Sequence, residues 1–411
     1  MTSQTLDAEP ACPPAASAAD QTADKNPAQP AAADPLLCVR RVAFDDISRA
    51  TWDALVDRTP AATPFSRWAF HRAWWDAYGA NAHDETLVVE APGAEAAELP
   101  VAIIPLMHRH EVEPTDEATH STLRHGGADR LTATAPTAKA IFFGASYHAD
   151  YATILTAPAK LPAAARALVA HLAAAPAPGD GHPDPWDVID LRRLRCADPA
   201  ADALTAAFEA AAPSNGWRVV LEREDVCPVV SIPAGLDFEG YLDTLDKKSR
   251  HEIRRKLRRA EAAGDIRLAE STEPLADLDA FIDLHQRRWG ADGLFPPTPG
   301  GDASRAFIRR LFETFGPDGS VRLMFLTIDG RRIGASIHLE DGSSVLYYNA
   351  GVDPDARKLS PGVLMVARHI AAAIAGGRTR LDFLRGDEGY KYDWGALDEP
   401  IRRLLVTRTG R

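Results

Sequence analysis

The densest chemistry in this 411-residue sequence is one run, Asp382-Phe383-Leu384-Arg385-Gly386-Asp387-Glu388-Gly389-Tyr390-Lys391-Tyr392-Asp393-Trp394-Gly395. Carboxylates, phenols and an ammonium interleave with glycines directly after an apolar segment that reads as a buried strand. In α/β sheets, ligands sit beyond the carboxyl ends of strands. Asp382 on the strand, with Glu388, Tyr390 and Lys391 in the loop, can supply a base, an acid and a charge anchor. The bland alternative is a solvated loop in which Asp382 pairs with Arg380 or Arg385. A second run, Arg357-Lys358-Leu359-Ser360-Pro361-Gly362, has the pattern R-x-x-S-x-G between an expected strand and an expected helix. Small residues there let helix N-terminal N–H groups approach an anion, and Arg357 and Lys358 add charge suited to a diphosphate. Ser360 also suits an N-cap and Pro361 the first helical position, so an ordinary capped turn gives the same pattern.

A third run, Lys247 to Arg259 (KKSRHEIRRKLRR), holds eight Lys and Arg residues and one acid, Glu252. Ile253, Leu257 and Ala260 recur at helical spacing, an apolar stripe under a basic surface. Such a surface suits a phosphorylated or polyanionic ligand, or tRNA; a plainly solvated helix face is the alternative. Trp289, ending His285-Gln286-Arg287-Arg288-Trp289, is a candidate wall for an acceptor pocket or an ordinary core residue. There is no G-x-x-x-x-G-K-[ST], H-E-x-x-H, G-x-S-x-G or G-x-G-x-x-G. His108 and His110 flank one arginine with nothing nearby to complete a ligand set, so no metal is expected.

The formal charge is −12, from 46 Lys and Arg against 58 Asp and Glu. Such a chain is a poor bulk binder of DNA or anionic membrane. Its four cysteines lack C-x-x-C spacing and read as reduced thiols. No secretory signal is visible, and Gly362 to Gly376 is too short and too polar to span a bilayer. A cytoplasmic protein is expected.

Residues 1–35 carry almost no large apolar residue and read as a disordered leader. Residues 36–226 read as a first α/β domain. Its expected strands include Leu36 to Val42, Leu99 to Met107, Trp186 to Leu191 and Trp217 to Glu222. Its expected helices include Ser66 to Tyr78 and the Ala-rich Leu161 to Ala175. Residues 227–411 read as a second domain, opening on a strand at Val229 to Pro233. Helices follow at Phe238 to Leu245, Ser249 to Ala263, Leu275 to Trp289 and Ser304 to Phe315, then strands broken by Asp329-Gly330 and Asp341-Gly342 turns. The helix Gly362 to Ala375 and the strand Arg380 to Leu384 lead to the chemical loop. Each half places an Ala-rich helix before a strand ending in Asp plus an apolar residue, Asp190-Leu191 and Asp382-Phe383, a faint sign of duplication.

These pieces in this order resemble the GNAT acyltransferase superfamily. More narrowly, they resemble its CelD-like branch of cellulose and exopolysaccharide biosynthesis, related to the Fem peptidoglycan aminoacyltransferases. The resemblance runs from about Tyr241 to Trp394. It rests on the basic helix, LHQRRW ending at Trp289, IGASIH at Ile333 to His338, YYNAG at Tyr347 to Gly351, KLSPG at Lys358 to Gly362, and DFLRGDEGYKYDWG at Asp382 to Gly395. The first region, with Pro64-Phe65, Trp74 and IIPL at Ile103 to Leu106, resembles the degenerate half of such two-module proteins. The resemblance implies two tandem modules, each a mixed, mostly antiparallel twisted sheet flanked by helices. It implies acetyl-CoA or another acyl-CoA as co-substrate, its pantetheine entering where the YYNAG strand parts from the LDFL strand. Tyr348, Asn349, Arg357, Lys358, Ser360 and Gly362 would line that donor site. The superfamily's loop is usually R/Q-x-x-G-x-G/A, and here Ser360 replaces the first Gly. Transfer would be direct attack by an amine of a small-molecule or saccharide acceptor, with Asp382 or Glu388 as base and Tyr390 protonating the thiolate. Arg250 and Arg254, one turn apart, would bind a phosphate-bearing acceptor beside Trp289 and Lys391. The rival readings are a Fem-type aminoacyltransferase whose basic helix grips charged tRNA, and a non-catalytic acyl-CoA-binding module.

Overall fold

The computed structural model describes residues 37–94, 98–109, 131–135, 138–174, 186–316 and 320–408. The expected leader, Cys12 and His110 lie outside them. The first half contains β1 (Cys38–Arg41), α1 (Arg49–Val56), α2 (Trp68–Tyr78), β2 (His83–Asp84), β3 (Leu87–Glu90), β4 (Ala102–Ile104), β5 (Leu106–Arg109), β6 (Ala140–Phe143), β7 (Leu155–Thr156), α3 (Leu161–Ala173), β8 (Val188–Arg195), α4 (Pro199–Asn215) and β9 (Trp217–Ser231). The second contains α5 (Phe238–Thr244), α6 (Lys247–Glu261), β10 (Ile266–Glu270), α7 (Pro274–Trp289), α8 (Pro299–Phe315), β11 (Val321–Ile328), β12 (Arg331–Glu340), β13 (Ser344–Val352), α9 (Pro361–Ala375), β14 (Arg380–Asp382), α10 (Gly389–Tyr392) and β15 (Leu397–Arg408).

Two twisted, mostly antiparallel sheets result. The smaller has the order β1-β3-β4-β7, and the larger β10-β11-β12-β13-β14-β9-β15-β8-β6-β5-β2. The larger sheet crosses both halves, because β15 pairs with β9 on one side and β8 on the other. The expected boundary at 226/227 falls inside β9. The two strands expected at Trp217 to Glu222 and Val229 to Pro233 are one, since Pro228 sits in it without ending it. Conversely, the single strand expected at Leu99 to Met107 is two, in different sheets. Pro105 lacks an N–H to continue a ladder, and the chain changes sheets there.

Both halves use the same crossover. In the second, β13 pairs in parallel with β14 after α9, with Leu346 opposite Asp382. In the first, β6 pairs in parallel with β8, with Phe142 opposite Asp190. Parallel pairing requires a crossover, and an Ala-rich helix supplies one in each half. The core is also shared. Phe65, Phe70 and Trp74 of the first half pack in one cluster with Phe281, Phe307 and Ile337 of the second. On the opposite face of the second half's sheet, α9 and α6 cover Val345, Leu381 and Phe383. Cys38 and Cys227 are free thiols.

Candidate active site

The site begins where β13 leaves β14. Their pairing stops at Leu346 and Asp382, although β13 continues to Val352. Beyond that point β13 holds only to β12, and there the register shifts: Ile337 faces Asn349 while His338 faces Tyr347. Tyr348 is the extra residue of this bulge, which bends the strand and takes its backbone out of regular pairing. The other arm turns away as well. Phe383 N–H donates to Pro228 O, and Leu384 takes a left-handed φ of 58°. A V-shaped opening results, with Tyr348 and Asn349 on one arm and Phe383 and Leu384 on the other.

The RKLSPG segment lies at the start of α9, which bridges the arms. Ser360 sits at φ 56°, ψ 56°, a left-handed conformation that glycine adopts more easily, and makes no side-chain cap bond. The replacement of glycine by serine therefore keeps the backbone shape. The freed Ser360 Oγ accepts from Arg259 of α6 at 2.8 Å. Arg357, Lys358 and Gly362 are exposed, and a Cβ on Gly362 would meet nothing within 4 Å. An exposed helix start with open space before its glycine and three cations around it fits a diphosphate.

On the other arm, Asp382 is 3% exposed. Its Oδ1 accepts from Leu384 N–H at 2.8 Å and its Oδ2 from the Tyr151 hydroxyl at 2.8 Å. Burial pushes its carboxyl up to about 6, although both hydrogen bonds, Arg195 and Arg380 oppose the rise. Glu388 is exposed and pairs with Lys391 Nζ at 2.8 Å. Tyr390 is 46% exposed, with its ring edge-on to Phe383 at 5.9 Å. Partial burial and the Glu388 carboxylate raise its phenol, while Arg288 of α7 works the other way. Trp289 is 44% exposed and donates to Ala350 O at 3.3 Å, which makes it a rim residue rather than a core one. The mouth of the V thus has an aromatic on each arm.

Three expected binding residues are engaged elsewhere. Lys391 is 3% exposed, and its ammonium donates to Leu384 O, Arg385 O and Gly386 O at 3.2, 3.0 and 2.8 Å. Those carbonyls turn inward in a glycine-rich loop, so its charge ties the loop together instead of facing a substrate. Arg254 pairs with Glu239 and Asp243 of α5 at 2.8 and 3.0 Å, and Arg250 with Asp243 at 3.7 Å. The helix rise of about 1.5 Å per residue sets them roughly 7 and 13 Å along α6 from Arg259, which does reach the loop.

The structure adds residues that the sequence reading passed over: Tyr151 on Asp382, Asp150 on Arg385 at 3.3 Å, and His148, whose carbonyl accepts from the Tyr348 hydroxyl at 3.0 Å. Their signal was present as Ser146-Tyr147-His148-Ala149-Asp150-Tyr151 after the apolar run Ala140–Phe143. It has the same form as the second half's loop, polar and aromatic residues following a short strand. Among the described residues no cluster of potential metal ligands occurs, and no helix is long and apolar enough to cross a membrane.

Residues 247–392 match the family described as "Acetyltransferase (GNAT) domain". The matched stretch runs from α6 to α10 and takes in both arms of the V and the start of α9, and the class of enzyme it supports is an acyltransferase. Among solved structures, the chain is similar to FemX at 11% identity, covering 87% of this chain and 96% of that one, with a TM-score of 0.53. It is similar to a conserved protein of unknown function from Bacteroides thetaiotaomicron VPI-5482 at 12% identity, covering 88% and 98%, with a TM-score of 0.50. A tandem GNAT protein from the clavulanic acid biosynthesis pathway aligns at 12% identity over 91% and 99%, with a TM-score of 0.43. At such identities the first two likenesses concern the fold. No curated protein matches the chain.

Proposed function

We propose that the protein is a cytoplasmic, acyl-CoA-dependent N-acyltransferase of the CelD-like branch. Acetyl-CoA is the expected donor, and the acceptor is an amine on an amino sugar or sugar nucleotide used in polysaccharide biosynthesis. Residues 227–411 form the catalytic module and residues 36–226 its degenerate partner. The observation that carries the reading is the V between β13 and β14, with the left-handed Ser360 opening α9 beside Arg357, Lys358 and Arg259.

Acyl-CoA supplies an activated thioester carbonyl. The chain's residues do the rest. Backbone N–H groups around the Tyr348 bulge stabilise the negative charge that develops on the carbonyl oxygen. Arg357, Lys358 and the Gly362 N–H hold the diphosphate, and Tyr348 and Asn349 line the pantetheine arm. Asp382 takes the proton from the acceptor ammonium, directly or through water, freeing the nitrogen lone pair for attack. A carbon–nitrogen bond forms, the carbon–sulfur bond breaks, Tyr390 gives its proton to the departing thiolate, and the proton shed by the new amide nitrogen returns to Tyr390 through water. Glu388 stands next to Tyr390 as the second carboxylate of the loop. Trp289 walls the acceptor side, and holding both reactants in one cleft removes much of the entropic barrier.

The basic face of α6 favours a second reading, a Fem-type enzyme that takes its acyl group from aminoacyl-tRNA. Calorimetric binding of acetyl-CoA and of aminoacyl-tRNA to the purified protein separates the two. Acetyl-CoA binding, with thiol release in a panel of amino-sugar and amino-acid acceptors, is the expected result. Tight tRNA binding without CoA binding would overturn the first reading. Binding of acyl-CoA with no turnover of any acceptor would make the protein a non-catalytic binder.

A further inference from the structure

One short segment of the first half touches every part of the V in the second. After β6 the chain runs through Ala145–Tyr151 and meets β13, the loop beyond β14, and β14 itself in turn. His148 O receives the Tyr348 hydroxyl at 3.0 Å, Asp150 pairs with Arg385 at 3.3 Å, and Tyr151 donates to Asp382 at 2.8 Å. The segment is held in an unfavourable backbone shape, with φ 61° at Ala145 and 78° at His148. Non-glycine residues persist there only where packing over-determines them, and such positions cluster at functional sites. Here the packing is the His148 ring, stacked on Phe307 at 4.4 Å and bonded to the Tyr78 hydroxyl at 2.7 Å.

Tyr151 itself is 3% exposed and lies beneath the Arg195 guanidinium, 4.9 Å from its ring centre. It meets Asp382 on the face of the sheet away from α9, because Leu381 and Phe383 occupy the α9 side. The charged and titratable surroundings of Asp382 are few. Arg380 on its own strand is 3.9 Å away, Arg195 approaches from β8, Cys227 from β9, and Glu399 of β15 holds both arginines. Tyr151 is the hydroxyl that bonds its second oxygen.

We infer that Tyr151 is a positioning residue of the acyl-transfer site, supplied by the N-terminal half. It fixes the orientation of Asp382 and, as a donor, favours the carboxylate form that accepts the acceptor's proton. The inference rests on the reading of Asp382 as the base. It gives the first half a part in the chemistry: the V is complete only when the Ala145–Tyr151 segment is seated.

Tyr151→Phe keeps the ring and its packing while deleting the donor. Thiol release from acetyl-CoA is followed against pH, with D-glucosamine as acceptor and with water in its absence. The acid limb of kcat is expected to move up by about one pH unit, with kcat at neutral pH several-fold lower. KM for acetyl-CoA, and its calorimetric Kd, stay unchanged. An acid limb that does not move in the folded variant, or a change confined to KM, would overturn the inference. If Tyr151→Phe does not fold, Asp150→Asn tests the same point by releasing the segment at Arg385. Its acid limb moves in the same direction if Tyr151 positions Asp382, and stays put if the inference is wrong. Failure of the unaltered protein to bind acetyl-CoA would instead sink the acyl-CoA reading, and calorimetry reports that independently of turnover.

Discussion

Lys391 looked like a substrate anchor because a lone ammonium in a polar loop usually faces water. Its three backbone acceptors and Glu388 instead make it the knot of the loop that carries Glu388 and Tyr390. Lys391→Met leaves buried carbonyls without donors and is expected to cost about 2–4 kcal/mol, seen as a lower midpoint in urea unfolding. Asp382 makes a different prediction. Its folded carboxyl titrates at about 6, above the unfolded value of about 3.9. The fold therefore favours the protonated form. The stability this contributes is complete below the unfolded value and lost as pH rises through about 6. Asp382→Asn is expected to flatten the pH dependence of unfolding free energy across that window, and an unchanged slope would contradict the assignment. With Asp382 as the proposed base, turnover is expected to run the opposite way, rising as the carboxylate forms, so that stability and activity diverge over the same pH range.

At the scale of elements, the site depends on how closely α7 lies against β13. A Cβ at Gly351 would stand 2.3 Å from His285 N and 2.5 Å from Leu284 C, both backbone atoms that cannot swing away. Gly351→Ala is expected to cost about 1–3 kcal/mol and to displace the end of α7 that carries Arg288 and Trp289. Trp289 fluorescence and thermal unfolding report both effects, and a variant with unaltered stability would show that the contact is not tight. The elements themselves were largely legible. α6, α7, α8 and α9 follow their apolar periodicity, and β11, β12 and β13 are punctuated by Asp-Gly turns. The strands β6 and β10 were not anticipated, because four or five residues carry too little period to stand out. The β9 strand was divided because proline normally ends a strand. At Pro228 its carbonyl still receives Phe383 N–H from the neighbouring arm.

At the scale of the whole molecule, the two halves are one structure, joined by β9, β15 and β8. Arg403 of β15, 1% exposed, binds Asp190 of β8 and Glu222 of β9 at 2.6–2.9 Å. Burial pushes Asp190 up, but Arg403 and Arg192 outweigh it and hold its carboxyl below the ordinary range. Arg403→Met leaves Asp190 to Arg192 and Glu222 to Thr132, removes the one cation that bridges them, and is expected to cost about 3–5 kcal/mol, with both halves losing structure together in calorimetric unfolding. Two separate transitions would show that the halves fold independently. The echo of Asp190 and Asp382 also acquires content here. Both lie on the strand that pairs in parallel after an Ala-rich crossover, yet one is bound by arginines and the other by a tyrosine hydroxyl.

The sequence by itself determined the local features that short-range physics controls. These are the basic amphipathic α6, the Ser-Pro-Gly entry to α9, the hairpins, and the dense polar loop after β14. It also carried the motifs whose order resembles a GNAT domain, which the match over residues 247–392 bears out. The tertiary structure alone decided which polar groups remain available. Arg254 and Lys391 are as charged in the sequence as Arg357 and Lys358, but the carboxylates of α5 and the inward-turned carbonyls of Leu384, Arg385 and Gly386 claim the first two. It alone brought Tyr151 to Asp382 across 231 positions. The physical reason is common to all of these cases. A residue's propensity acts through its neighbours in sequence, whereas burial and partnership depend on which surfaces the sheet brings together.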